Sequence, residues 1–202
     1  MKGSILIAVC FGLGLLLGRL NWLPESLLLP EASTWMLWSL MLLVGLAVGA
    51  DRKNLAILLR PDPRYLLLPL GVVLGSVAGA WLAGPLLGPS VAGDRMAVAA
   101  GFGWYSLSSV LLRDLAGDRL ATVALMANII RELCTLLLAP VLLRLAGPLA
   151  PIASGGATAM DSTLPIITRV SGTRWMAASV LSGLTLTLLV PLLVPMVYTW
   201  GR

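Results

Sequence analysis

Long runs without any charged residue dominate this chain and constrain its fold more than any other feature. Five such runs are Gly3 to Gly18, Ala32 to Ala50, Tyr65 to Gly93, Met96 to Leu112 and Trp175 to Gly201. Charged residues make up only 11% of the 202 residues, whereas soluble domains carry about 25%. A transmembrane helix needs about 20 apolar residues, so the sequence predicts an all-α, polytopic integral membrane protein in the lipid bilayer.

Two further apolar segments are interrupted. The stretch from Leu120 to Leu143 carries an adjacent arginine and glutamate at its middle, and the stretch from Leu145 to Thr168 contains three prolines, paired glycines and an aspartate. The second stretch cannot form one regular helix, because proline removes backbone hydrogen bonds. We expect about six or seven transmembrane segments, two of them discontinuous helices, in a single transmembrane transporter domain over residues 1–202.

Lysine and arginine residues concentrate in two stretches between the runs. Residues 51–64 contain four of them and residues 113–119 contain two. Because basic loops tend to face the cytoplasm, both stretches and the N-terminus are predicted to be cytoplasmic. The interrupted segment at residues 148–168 either crosses the membrane or re-enters on the same side, and the sequence leaves both alternatives open.

The composition argues against several classes of function. The chain has no histidine, so the commonest metal ligand and general base is missing, and the sequence predicts neither an enzyme nor a cofactor. The net charge of +5 comes from short loops between apolar runs, which indicates membrane topology rather than nucleic-acid binding.

The first polar cluster inside an apolar run is Gly101 to Ser109, with the sequence GFGWYSLSS. Trp104, Tyr105, Ser106 and Ser108 are its candidate binding residues. Two glycines and several hydroxyls weaken a regular helix here and offer hydrogen-bonding groups to a ligand. The alternative is a closely packed helix whose serines bond to their own backbone carbonyls.

The second cluster lies at the middle of the charged segment. Asn128, Glu132 and Thr135 share one face of a helix, and Arg131 points about 100° away from Glu132. Buried charges of this kind mark a function or a buried partner. Either Glu132 faces a wet cavity while Arg131 binds another partner, or both belong to a network that only fixes helix packing.

The third cluster runs from Ala153 to Pro165, where small residues lead into a short helix predicted to begin near Thr158. Unpaired N–H groups at such a helix end would bind a substrate carboxylate, and Asp161 would bind an ammonium group, a sodium ion or a proton. Discontinuous helices of this type occur at the midplane sites of secondary transporters. The alternative is a surface loop with Asp161 in water. The candidate residues are Gly155, Gly156, Thr158, Asp161 and Thr163.

Taken in order, GFGWYSLSS, the N-x-x-R-E sequence at Asn128 to Glu132 and GGATAMDSTLPII at Gly155 to Ile167 resemble motifs of the lysine exporter LysO family. The resemblance spans nearly the whole chain. It implies a prokaryotic cytoplasmic (inner) membrane protein that exports L-lysine and its toxic analogue thialysine by exchange with protons. The functionally important intramembrane acids of the family match Glu132 and Asp161.

Typical members of that family are longer and begin with a further group of helices. The resemblance therefore implies a partner, either a short membrane subunit that supplies those helices or a second copy of this chain in a homodimer. Two alternatives stay open. One is a sodium-coupled carrier of another small amino acid that uses Asp161, Asn128 and serine hydroxyls, and the other is a structural subunit of a membrane complex.

Overall fold

The structure is a computed structural model that describes residues 63–87 and 91–201 continuously, together with single helical positions between residues 13 and 50. The chain divides into two compact units, Met1–Leu46 and Ala47–Arg202. The second unit contains all of the continuously described residues. The single domain predicted over the whole chain stays a prediction.

The described part of the second unit is all-helical and contains no strand, which confirms the predicted all-α class. Three helices are long: α1 (Pro63–Leu82), α5 (Asp118–Ala146) and α8 (Met176–Trp200). Five are short: α2 (Gly84–Leu87), α3 (Ala92–Ala99), α4 (Tyr105–Ala116), α6 (Ala150–Gly155) and α7 (Leu164–Ser171). Gly156–Met160 and Thr173–Trp175 are 3₁₀ helices.

The long helix α5 has clear start and stop signals in the sequence. Gly117 before it and Gly147 after it both have positive φ, which glycine adopts without strain. Asp118 in its first turn and Arg144 in its last turn complement the helix dipole. Its 29 residues cover about 44 Å at about 1.5 Å per residue, more than the hydrocarbon core of about 30 Å.

The two ends of α8 define two ends of the unit. Trp175 lies just before α8, and its ring packs edge-on against Tyr65 at the start of α1, with the ring centroids 6.4 Å apart. Gly201 lies just after α8, and its carbonyl accepts a hydrogen bond from the Gly93 N–H at 3.1 Å. These ends are termed the Trp175 end and the Gly201 end. The α1 helix therefore begins at the Trp175 end, and α3 begins at the Gly201 end.

The segment from α3 to α4 is a re-entrant hairpin, termed hairpin 1. Its first leg starts beside Gly201, and its second leg finishes at the same end, where the Leu115 carbonyl accepts a hydrogen bond from Tyr198 Oη at 3.1 Å. The chain reverses at residues 100–104, termed tip 1. The prediction that Met96 to Leu112 crosses the membrane is therefore wrong, because both legs return to one end of the unit.

The segment from α6 to α7 is a second re-entrant hairpin, termed hairpin 2, and it enters from the opposite end. It follows the far end of α5 after a short turn and leads directly into Trp175. Ile152 from one leg and Ile167 from the other form a buried cluster, against which Leu68 and Trp175 pack. The chain reverses at residues 156–163, termed tip 2. Its two legs lie together at the Trp175 end, as the re-entrant alternative predicts, and the placement of the segment in the membrane stays a prediction.

This topology changes the expected arrangement of spans. Among the described residues, two helices are long and apolar enough to cross a membrane, Tyr65–Leu82 and Thr173–Trp200. The α5 helix is also long enough, but it carries two charges at its middle. The count of six or seven segments is not confirmed. Most of the stretch at residues 51–64 lies outside the described residues, and the predicted cytoplasmic placement of the two basic stretches stays a prediction.

Candidate functional site

The two hairpins meet tip to tip inside the unit, beside the middle of α5. The Ala157 N–H in tip 2 donates a hydrogen bond to the Phe102 carbonyl in tip 1 at 2.8 Å. Ala157 is 3% exposed and Phe102 is fully buried. The two segments that the sequence predicts to be discontinuous are therefore in direct contact where each is interrupted.

The backbone of tip 1 is held in an unusual conformation. Phe102 has a φ of +47°, the only positive φ of a non-glycine residue in the described part of the chain, and Gly103 follows with +98°. A left-handed non-glycine residue costs about 1–3 kcal/mol and persists only where its surroundings fix it. Here the Phe102 carbonyl binds tip 2, and the Gly103 N–H donates to Asn128 Oδ1 at 2.7 Å.

Asn128 attaches hairpin 1 to α5. Besides accepting from Gly103, its Nδ2 lies 2.9 Å from the Ala124 carbonyl and 3.3 Å from both the Val98 carbonyl and Ser108 Oγ. Val98 belongs to the first leg and Ser108 to the second, so one amide contacts both. All of its hydrogen-bonding groups are used within the protein, as a buried amide requires.

Arg131, one turn further along α5, attaches hairpin 2. Its Nε donates to the Ser154 carbonyl at 2.9 Å, its Nη2 to the Ala153 carbonyl at 3.0 Å and its Nη1 to Ser76 Oγ in α1 at 3.1 Å. The two carbonyls end α6, where carbonyls lack helical partners and a cation is favourable. Thr135 adds a hydroxyl contact to Ser154 Oγ at 2.7 Å. Arg131 thus binds hairpin 2 and α1, and the wet cavity expected beside Glu132 stays a prediction.

Tip 2 is built so closely against tip 1 that only glycine fits at one position. Gly156 has a φ of +64°, and a Cβ there would collide with the Phe102 carbonyl and lie 3.1 Å from Arg131 Nη2. Next to it, Thr158 Oγ1 donates to the Gly155 carbonyl at 2.9 Å.

The helix expected to begin near Thr158 begins at Leu164 instead, after a 3₁₀ helix. Thr163, directly before α7, is fully buried, and its hydroxyl lies 3.3 Å from Thr158 Oγ1. The Ala157 N–H, in the stretch expected to bind a substrate carboxylate, is occupied by the other tip. The stretch is therefore a packed turn in this state.

In the described part of the chain, the carboxylates of the two candidate acids take no part in the contacts that join the tips to each other and to α5, although Asp161 itself belongs to tip 2. Glu132 is half-buried, and none of the described residues forms a hydrogen bond or ion pair with it. Helical spacing places it on the opposite flank of the buried stripe of α5 from Arg131. Asp161 is exposed, and its Oδ1 accepts a hydrogen bond from the Ser162 N–H.

Among the described residues, the side chains of the remaining candidates of the first cluster make no hydrogen bond to tip 2 or to α5. Trp104 is half-buried, and Tyr105 and Ser106 are exposed, so Ser108 is the candidate from that cluster that joins the network. The sequence analysis missed Ser76, whose only signal is a hydroxyl within an apolar run. It also missed Ser154, which directly precedes the paired glycines.

A cavity of about 830 Å³ lies between α1, α3 and α5. It extends from Asp94, Arg95 and Arg119 near the Gly201 end to Asn128 and Arg131 beside the tips. Glu132 and Asp161 are not among the residues that line it. Glu132 therefore lies on the opposite flank of the α5 stripe from the cavity.

Replacing Arg131 with lysine tests the role of its three hydrogen bonds. A lysine ammonium cannot reproduce the planar fork that reaches both α6 carbonyls and Ser76. We expect Arg131→Lys to lower the free energy of unfolding by about 1–3 kcal/mol, measured by thermal unfolding in detergent. Arg144→Lys, at an exposed position of the same helix, is the matched control, and equal melting temperatures for the two variants would contradict this role.

Hairpins that enter a helical bundle from opposite ends and meet beside a helix with buried charges are typical of membrane transporters with discontinuous helices. The particular family follows from comparison with known proteins. The chain belongs to the lysine exporter LysO family, whose model, described as "Lysine exporter LysO", matches residues 8–198. The resemblance seen in the three motifs is confirmed, and with it the membrane setting.

Two curated relatives are similar over most of this chain. "Lysine exporter LysO" of Escherichia coli is 34% identical over 167 residues, which cover 81% of this chain and 54% of that protein. "Putative lysine exporter" of Haemophilus influenzae is 31% identical over 176 residues, which cover 86% of this chain and 89% of that protein. The chain thus spans about half the length of the first relative. No solved structure matches it.

Proposed function

We propose that this protein exports L-lysine, and the analogue thialysine, across a prokaryotic inner membrane in exchange for protons. The observation that carries the proposal is the contact between Phe102 and Ala157, where two hairpins from opposite ends meet at 2.8 Å. A substrate that passes from one end of the unit to the other must pass this junction. The names of the two relatives support lysine as the substrate.

Glu132 and Asp161 are the proposed sites for the positive charges of the substrate. A carboxylate inside a membrane protein is costly unless a cation or a proton neutralises it. A lysine ammonium group and a proton therefore compete for the same carboxylate, and the binding of one releases the other. This competition couples lysine efflux to proton entry. The absence of a partner for Glu132 among the described residues supports its availability.

The tip contact offers a site for the carboxylate of the substrate. The Ala157 N–H now donates to a neutral carbonyl, that of Phe102. A carboxylate is a stronger acceptor than a carbonyl, so a bound substrate would displace Phe102 and separate the tips. In this proposal the substrate itself loosens the junction that blocks its path.

The sodium-coupled alternative is less well supported. It needs Asn128 as an oxygen ligand, but Asn128 Oδ1 already accepts the Gly103 N–H at 2.7 Å. This hydrogen bond uses one of the two lone pairs of the amide oxygen and fixes its direction toward tip 1, which makes it a poor ligand for an ion. We therefore favour proton coupling at the carboxylates.

We also propose that the Trp175 end faces the cytoplasm. Arg144, Arg169 and Arg174 lie at that end in α5, in α7 and just before α8, and the stretch at residues 51–64 that leads into α1 contains four more basic residues. The Gly201 end, where both legs of hairpin 1 lie, has Arg95, Arg113 and Arg119. The larger number of lysines and arginines marks the cytoplasmic side.

Cysteine labelling tests both the orientation and the re-entry of hairpin 1. In a background in which Cys10 and Cys134 are serines, Leu86→Cys and Arg113→Cys flank hairpin 1, and Leu86 is 88% exposed. We expect a membrane-impermeant maleimide to label both from the periplasmic side and Arg144→Cys only after permeabilisation. Labelling of the two flanking positions from opposite sides would mean that hairpin 1 crosses the membrane.

A further inference from the structure

The cavity between α1, α3 and α5 is not used by the proposed lysine route. Its volume of about 830 Å³ falls within the range of about 300–1,000 Å³ that is typical of ligand sites. Small apolar side chains line its middle, among them Ala80, Val98, Val123 and Ala127. An apolar interior of this size favours a hydrocarbon group over an amino acid.

The polar groups of the cavity lie at its two ends and differ in availability. Asn128 and Arg131 at the inner end already donate to protein acceptors. Arg119 at the Gly201 end is exposed, and no hydrogen bond joins it to another described residue. Arg95 and the carboxylate of Asp94 also line the cavity at this end. Two arginines and one aspartate give the Gly201 end of the cavity an excess of positive charge. This charge repels a cationic amino acid and attracts an anion.

The length of the cavity matches one leaflet of a bilayer. Arg119 and Arg131 are twelve positions apart in α5, which corresponds to about 18 Å along the helix axis. Half of a hydrocarbon core of about 30 Å is about 15 Å. A chain that starts at the membrane surface beside Arg119 would therefore end near the bilayer centre, beside the tips.

We propose that this cavity binds one acyl chain of an anionic phospholipid, whose phosphate is held by Arg119. A guanidinium group pairs with two phosphate oxygens at once, and the acyl chain fills the apolar interior. The lipid would pack α1 against α3 and α5. It is thus a stabilising ligand of the bundle, at a place separate from the candidate acids.

Native mass spectrometry and thermal unfolding of the purified full chain test this proposal. Phosphatidylglycerol and phosphatidylcholine with identical acyl chains are compared. We expect phosphatidylglycerol to stay bound to the protein in the mass spectrum. It should also raise the melting temperature of the protein more than phosphatidylcholine does. Arg119→Gln should remove this difference, whereas Arg113→Gln should keep it, because Arg113 pairs with Asp118 at 2.8 Å and does not line the cavity.

A second variant tests the apolar interior. Ala127→Phe fills the cavity and should lose the retained phosphatidylglycerol, whereas Ala146→Phe at an exposed position of α5 should not. Three results would each overturn the proposal. The two lipids could have equal effects, the two arginine variants could lose bound phosphatidylglycerol equally, or Ala127→Phe could retain it unchanged. A similar rise in melting temperature with glycerol 3-phosphate alone would also overturn the proposal, since the acyl chain would then contribute nothing.

Discussion

Glu132→Gln and Asp161→Asn should each reduce lysine efflux to the level of cells that lack an exporter. Each substitution keeps the size of the side chain but removes the charge that binds the ammonium group and exchanges it for a proton. The measurement is lysine efflux and thialysine resistance in such a host, with any membrane partner of the chain co-expressed. Neither carboxylate bonds to the opposite tip or to α5 among the described residues, and that of Asp161 accepts from the neighbouring Ser162 N–H within tip 2. The melting temperature should therefore change little, as expected for a loss below about 0.5 kcal/mol.

Asp114→Asn is the matched control for this experiment. Asp114 is an exposed carboxylate near the Gly201 end of α4, and its substitution should leave efflux close to that of the parent protein. Near-normal efflux from both Glu132→Gln and Asp161→Asn would contradict the proposed mechanism. Efflux that follows the sodium gradient and not the pH gradient would instead support the sodium-coupled alternative.

The sequence predicts where the helices are interrupted but not which way the chain then turns. Glycines and hydroxyls at Gly101 to Ser109, and paired glycines between Ala153 and Pro165, mark the two tips correctly. The re-entry of hairpin 1 has no such signal, because its uncharged run from Met96 to Leu112 is long enough to resemble a span. The reversal depends on Phe102 in a left-handed conformation, which residue type alone does not indicate.

The polar stripe on α5 shows a similar limit. Helical spacing correctly places Asn128 and Thr135 on one buried face, but it does not show what binds there. Their partners, Gly103 and Ser154, are 25 and 19 residues away, and Ser76 is 55 residues from Arg131. Contacts at such separations follow from the packing of the hairpins. The stripe predicted to line a cavity therefore serves largely to hold the tips.

Gly156→Ala should strongly destabilise the protein, because the added methyl group has no room between the two tips. An alanine with φ near +64° is strained by about 1–3 kcal/mol, and its Cβ would also collide with the Phe102 carbonyl. This collision is relieved only if the tips move apart. That movement breaks the hydrogen bond from the Ala157 N–H to the Phe102 carbonyl, which helps to hold the strained Phe102 backbone. We expect a loss of about 3 kcal/mol or more, measured by thermal unfolding in detergent, and a corresponding loss of efflux.

Gly147→Ala separates the collision from the backbone strain. Gly147 also has a positive φ, +81°, but a Cβ there has no neighbour within 4 Å among the described residues. Its substitution should cost only the backbone strain of about 1–3 kcal/mol, with no collision, and leave efflux intact. If the two alanine variants melt at the same temperature, the tips are not in contact as described. If Gly156→Ala alone is destabilised, the close approach of tip 2 to tip 1 is what holds the two hairpins together.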